Sequence, residues 1–185
     1  MARVAVIGLG KVGVPLASYL TTLSHQVVGV DVDAGLVERL RQGKNPLPWE
    51  PAMNLQAFEA TLSLSEALEG AECAIVIVPT PQRGDRLSGD HVRLAIEKIR
   101  DVNPSVLVLV ASTLDPEDIH AICRGLGSNI VYNPVMIRLG YVVEDLAQAR
   151  FLLIGGGTRS SGTGSSAYGG PGGRPPPTRS FARIR

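Results

Sequence analysis

Gly8, Gly10 and Gly13 stand in the pattern G-x-G-x-x-G within VAVIGLGKVGVPLASYL (residues 4–20), directly behind the apolar run 4–7. Three glycines at that spacing allow a tight turn, a close approach of backbone to a pyrophosphate, and close packing of a helix on the preceding strand. The helix that follows aims its unpaired N–H groups and the positive end of its dipole at the phosphates. Such a site also needs an acidic residue about 20 positions on, at the end of the second strand, to accept hydrogen bonds from a ribose. Asp31 in VVGVDVD meets that need, 23 residues after Gly8, whereas Asp33 reads as the N-cap of the next helix. The chemistry implied is dinucleotide binding. A carboxylate at position 31 also selects NAD over NADP, because it repels a 2′-phosphate and no arginine follows it before Arg39.

More polar groups recur where later strands should end: PTP (79–81), AST (111–113) and YNPVMIR (132–138). Pro79 and Pro81 stiffen the chain around Thr80. Ser112 and Thr113 present hydroxyls, and Pro134 holds Asn133 extended or in a turn. Ligands of open parallel sheets bind at the carboxyl ends of the strands, so these clusters read as one cleft. Other reactive side chains fit less well. Cys73 opens an apolar strand, where thiols are usually inert. Cys123 lies three residues after His120, a spacing that reads as chance on a covering helix. His25 and His91 match no metal or triad pattern, and no metal is expected.

The elements that must position these residues follow from periodicity. Short apolar runs predict strands at about 3–8, 27–31, 60–63, 73–78, 105–110, 129–133 and 150–154. CAIVIV and SVLVLV are continuous, as strands covered on both faces require. Helical patterns fall at about 11–23, 33–42, 64–70, 89–101 and 116–126, with Asp33, Ser63 or Ser65, and Asp115 at N-cap positions. Regular alternation predicts an α/β fold with a doubly wound, mostly parallel sheet, a Rossmann-type dinucleotide-binding domain over residues 1–157. GKNPLPWEPAMN (43–54) interrupts the rhythm and reads as a surface loop with Trp49 lying over the core.

Composition bounds the rest. The chain has 185 residues, enough for one sizeable core, and a formal net charge of +1 that attracts neither nucleic acid nor an anionic membrane. Two cysteines far apart in sequence suit a reducing cytoplasm. No apolar run reaches membrane-spanning length, and the start lacks a signal-peptide pattern. From residue 155 onward, five arginines, nine glycines and four prolines occur without an acidic residue. Such a composition cannot bury enough apolar surface to fold, so residues 158–185 are expected to form a disordered tail. It reads as coding sequence that ends, or changes frame, within a larger gene.

The stretches VAVIGLGKVGVPLA, VVGVDVD, VIVPTPQ, AST and YNPVMIRLG, in this order and spacing, resemble the UDP-glucose/GDP-mannose dehydrogenase family. FLLIGGG (151–157) is similar to the strand that closes that family's N-terminal NAD-binding domain. The resemblance implies an NAD-dependent oxidation of a nucleotide sugar's primary alcohol to a carboxylate, through a cysteine thiohemiacetal. It implies that Gly8, Gly10, Lys11, Val12 and Gly13 wrap the pyrophosphate and that Asp31 holds the ribose. Thr80 and Thr113 would line the nicotinamide side, Thr113 also helping to position a catalytic water, and Asn133, Pro134 and Arg138 would touch the sugar nucleotide. Two departures stand out. Val135 occupies the place where the family commonly has a glutamate after Asn-Pro, and Ala111 the place of a glutamate before Ser-Thr. The family's nucleophilic cysteine, sugar-nucleotide domain and dimer-forming helix would fall beyond residue 185, so a lone chain is expected to be inactive and no oligomeric state is assigned. A stand-alone NAD(H)-binding module without substrate chemistry is the alternative. The 6-phosphogluconate/3-hydroxyisobutyrate dehydrogenase group shares the opening domain but lacks the Pro-Thr-Pro and Asn-Pro segments.

Overall fold

A computed structural model describes residues 1–156 apart from Ala52, Ser128, Arg150 and Phe151. In chain order the elements are β1 (Arg3–Ile7), α1 (Gly13–Thr22), β2 (Gln26–Val30), α2 (Ala34–Arg41), β3 (Glu59–Thr61), α3 (Leu64–Leu68), β4 (Cys73–Val76), β5 (Gln82–Arg83), β6 (Arg86–Leu87), α4 (Asp90–Val102), β7 (Leu107–Val110), α5 (Pro116–Gly125), β8 (Ile130–Tyr132), α6 (Val142–Ala147) and β9 (Gly155–Gly156). The main sheet runs β3-β2-β1-β4-β7-β8-β9. All its pairings are parallel except β8 with β9. The expected α/β fold with a doubly wound, mostly parallel sheet is therefore the fold observed.

Alternation along the buried strands divides the core in two. Ala5, Ile7, Val28, Val30, Ala74, Val76, Val108 and Val110 meet α3, α4 and α5 on one face. Val6 and Val27 meet Val14 and Ala17 of α1 and Val37 and Leu40 of α2 on the other. Each such valine, leucine or isoleucine contributes about 1.5–3 kcal/mol by leaving water, and each alanine less, which is why these strands read as near-continuous apolar runs. Side-chain caps begin two helices as expected. Asp33 accepts from Leu36 N at 3.0 Å, and Ser63, not Ser65, accepts from Glu66 N at 3.2 Å. Asp115 stands at the start of α5 but turns its carboxylate elsewhere, to Leu87 N and Arg86.

Two expectations need correction, and two further elements have no local signal in the sequence. The apolar run 152–154 is exposed and forms no strand; pairing with β8 falls instead on Gly155–Gly156. The hairpin β5–β6 carries no strand signal, because its strands are two residues long and contain arginine. It is fastened from outside by Arg86 to Asp115 and Glu117 and by Arg83 to Asp90. Trp49 is half exposed at 48%, and Leu47 and Phe58 cover the core there instead. Helix α6 likewise has no start signal of its own, since Tyr141 offers no side-chain cap. Its cap comes from the 43–54 loop: the Glu50 carboxylate, only 2% exposed, accepts from Val142 N at 2.9 Å and Val143 N at 3.4 Å. The expected tail 158–185 lies outside the described residues.

Glu50 thereby seats α6 against α1. Glu50→Ala leaves one buried and one half-buried N–H group without an acceptor, the buried one costing about 1–3 kcal/mol. The variant is expected to unfold about 5–10 °C lower, with NAD affinity little changed at temperatures where it is folded. An unshifted melting curve would show that the cap contributes nothing.

The far edge of the sheet is short and guarded. Edge strand β3 has three residues, and Arg41 Nε donates to the Ala60 carbonyl at 2.9 Å.

Candidate functional site

Chain direction across the sheet reverses between β1 and β4, which lie side by side while their covering helices take opposite faces. The loops leaving these strands diverge there, and the crevice between them is where open α/β sheets bind ligands. The glycine turn occupies it. Gly8 has φ +101°, and a Cβ on it would lie 2.6 Å from the carbonyl oxygen of Ile77, just beyond β4. A Cβ on Gly13 would overlap the Gly8 carbonyl oxygen. Gly10 differs: nothing lies within 4 Å of where its Cβ would be, so this part of the turn faces open space. Helical hydrogen bonding begins at once, with Val14 N donating to Gly10 O at 3.2 Å. No side chain caps α1 and its first turn holds no acidic residue, which leaves its positive end unopposed, with exposed Lys11 beside it.

Asp31 follows β2 and reaches across to this turn. Its Oδ2 accepts from Leu9 N at 2.7 Å and its Oδ1 from Asp33 N at 3.0 Å. Each carboxylate oxygen can take a second donor, so the half-buried carboxylate keeps capacity for two hydroxyl groups. These contacts use the acid first to fix the glycine turn. Sequence spacing found Asp31 but not this bond.

Beyond β4, Thr80 is half buried between Pro79 and Pro81. His91 Nδ1 lies 3.1 Å from the Pro79 carbonyl oxygen. Ser112 corrects the expectation of an available hydroxyl. It is 5% exposed, and its Oγ accepts from Val78 N at 2.9 Å while donating to Val78 O at 2.8 Å. Thr113, next along the chain, is exposed.

The segment after β8 forms the far wall. Asn133 Nδ2 donates to Leu153 O at 2.9 Å, and Pro134 is half buried. Val135 packs with Leu16, Ile75 and Ala111 in one apolar cluster. Both departures from the family pattern, Ala111 and Val135, thus lie in a single dry patch. Arg138 is engaged within the chain: its guanidinium pairs with Asp145 at 2.6 and 3.2 Å and lies 4.8 Å from the centre of the Tyr141 ring. Hydrogen bonds from the Arg138 side chain and then its backbone N–H hold the Asp145 carboxyl below its ordinary range. The pair therefore stabilises this turn at neutral pH and is lost as the pH falls through that lowered value.

The two cysteines lie away from the crevice. Cys73 begins β4, at the opposite end of the strand, and burial pushes its thiol up to about 11. Burial also raises Cys123, and among the described residues no hydrogen bond joins it to His120. No group of three or more metal-ligating side chains occurs among the described residues, and no helix there is long and apolar enough to cross a membrane. A cavity of about 550 Å³ lies beside β3, lined in part by Arg3, Arg41, Phe58 and Glu66. Its lining includes no residue of the glycine turn, the open end of α1 or Asp31, although the Thr61 carbonyl at its edge accepts from Asp31 N at 3.2 Å. Those three features converge on an open trough and mark the site better than enclosure does.

Comparison with known proteins agrees with this geometry. The GDP-mannose 6-dehydrogenase of Azotobacter vinelandii is 27% identical over an alignment covering 86% of this chain and 42% of the relative. The crystal structure of a UDP-glucose dehydrogenase from Pyrobaculum islandicum superposes with a TM-score of 0.72 at 29% identity, covering 85% of this chain and 41% of that one. A ternary complex of GDP-mannose dehydrogenase from Pseudomonas aeruginosa shares the fold, with a TM-score of 0.77 at 23% identity over 83% of this chain and 41% of that one. The chain thus spans about two fifths of the length of these proteins. The model of the UDP-glucose/GDP-mannose dehydrogenase family, NAD binding domain, matches residues 2–167, and the chain belongs to that family as its NAD-binding domain.

Proposed function

We propose that this domain serves an enzyme that oxidises the primary alcohol of a UDP- or GDP-sugar to a uronate, in a reducing cytoplasm. The observation that carries the dinucleotide half of this reading is the Asp31 carboxylate bonded to the glycine turn beside the open face of Gly10. The residues present fit NAD. Gly8, Gly10, Lys11, Val12 and Gly13 would hold the pyrophosphate against the uncapped end of α1, and Asp31 would accept from the ribose hydroxyls. Thr80 and Thr113 would bound the nicotinamide, and Asn133, Pro134 and Arg138 would face the sugar nucleotide. When bound, NAD supplies the hydride acceptor. The chain's own part is to bind, orient and shield.

A second reading, an NAD(H)-binding module without substrate chemistry, is favoured by particular residues. Val135 and Ala111 present no proton-transferring group in their apolar patch. Neither cysteine is placed or ionised as a nucleophile. Arg138 is already satisfied by Asp145, so a phosphate would have to compete for it.

Cofactor choice gives the direct test. Asp31→Ala removes the acceptor for the ribose and for Leu9 N together. NAD affinity is expected to fall at least tenfold, a loss of about two hydrogen bonds to a charged group, and the preference over NADP to shrink. Titration calorimetry with both cofactors checks it. NADP binding as tight as NAD to the unsubstituted chain would count decisively against the assignment.

A further inference from the structure

Beyond the strand ends, the loops are fastened side to side by side chains that bind a neighbour's backbone. Asp31 holds Leu9 N, Ser112 holds both backbone groups of Val78, and Asn133 holds Leu153 O. One more clamp has no part in the reading above. The Tyr132 hydroxyl, at the end of β8, accepts from Leu114 N at 3.1 Å and donates to Leu114 O at 3.3 Å. Its half-buried ring packs against the main core, so the hydroxyl is held at a fixed height above the sheet.

Thr113 lies between these last two clamps. Ser112 before it is buried and tied to the loop after β4; Leu114 after it is 6% exposed and tied to β8. Only Thr113 of the three is exposed. Ser112 is held by its hydroxyl and by its backbone N–H on Val76 O, and Leu114 by both its N–H and its C=O. A residue between two such neighbours has little freedom in φ or ψ, and its side chain is presented without further ordering cost. We infer that Tyr132 and Ser112 are positioning residues that hold Thr113 against the nicotinamide end of the cofactor, Tyr132 from the substrate side and Ser112 from the cofactor side. This rests on the reading that Thr113 lines that end. The brace also makes the 132–138 segment and the 78–80 turn one mechanical unit, joined through Thr113.

The test separates the nicotinamide end of the ligand from the rest. Tyr132→Phe keeps the ring in the core and removes only the hydroxyl. Binding of NADH and of ADP-ribose, which lacks the nicotinamide, is measured by calorimetry, alongside the fluorescence of bound NADH. In the variant, NADH affinity is expected to fall by about fivefold to tenfold, the loss of one or two hydrogen bonds, with weaker nicotinamide fluorescence. ADP-ribose affinity should stay at the wild-type value. Ser112→Ala should give the same split and serves if Tyr132→Phe does not fold. Wild-type NADH affinity and fluorescence in the variants would overturn the inference. So would equal losses for both ligands, which mark general loosening. If the unsubstituted chain binds ADP-ribose and NADH equally well, Thr113 makes no nicotinamide contact and the inference falls while the phosphate and ribose assignment stands; if it binds neither, both fall.

Discussion

Gly13→Ala is expected to abolish folding or nearly so, whereas Gly10→Ala should fold normally and lose only the cofactor. The added methyl at position 13 overlaps the carbonyl oxygen of Gly8, a backbone atom that cannot swing aside as a flexible side chain could. Gly8 is itself fixed by φ +101° and by the Ile77 carbonyl, so the strain spreads into β1 and β4 at the centre of the sheet. Overpacking of this kind costs about 3 kcal/mol or more. At Gly10 the methyl meets nothing within 4 Å. Its stability should therefore stay within about 0.5 kcal/mol of the wild type. The same methyl stands where the pyrophosphate must approach, and NAD affinity should fall by at least about tenfold. Thermal melts and NAD titrations on both variants decide the matter. Unimpaired NAD binding by Gly10→Ala would remove the turn from the phosphate site; an unshifted melt for Gly13→Ala would refute the packing argument.

The 185-residue chain is also expected to bind NAD and yet oxidise no nucleotide sugar. Oxidation of an alcohol to a carboxylate through a thiohemiacetal needs a thiolate at the reacting carbon, a proton-transferring group and walls that exclude water. Cys73 opens β4 at the wrong end of the strand, with a thiol pushed up to about 11, so it is protonated at neutral pH. Cys123 is raised in the same direction by burial. Val135 cannot take a proton, and it packs on a buried apolar cluster of Leu16, Ile75 and Ala111. Each step requires its own group, so the deficit should be total rather than partial. The check is NADH production from a panel of UDP- and GDP-sugars, run beside NAD calorimetry on the same protein. Sustained turnover would sink this expectation and direct attention to Cys123 with His120.

The parts of this site that could be read from sequence are those with local signatures. Glycine spacing, apolar runs and an acid at a strand end all act within about 25 residues, and the five expected helices and the first six expected strands lie within two residues of those observed. What leaves no local signature is each side chain that serves a distant backbone. Glu50 and Val142 are 92 residues apart, Ser112 and Val78 are 34 apart, and Tyr132 and Leu114 are 18 apart. Periodicity does not encode such pairings, because the residue that needs a partner carries no mark of its own. Helix α6 shows the result: six residues with no cap in their own sequence read as loop until the acceptor arrives from position 50. Ser112 shows the converse, a residue correctly placed at the cleft whose hydroxyl points inward to backbone rather than outward to a ligand.

The Glu50 clasp also bears on the order in which the chain assembles. Between Glu50 and Val142 lie β3, β4, β7 and β8, so the two ends meet only once most of the sheet has been laid down. Contacts that close so long a loop repay their chain entropy last and tend to be absent from the folding transition state. Loss of such a contact raises the unfolding rate and leaves the folding rate almost untouched. Glu50 is then a brake on opening: it sets how long α6 and the segment it holds stay in place rather than how quickly the chain folds.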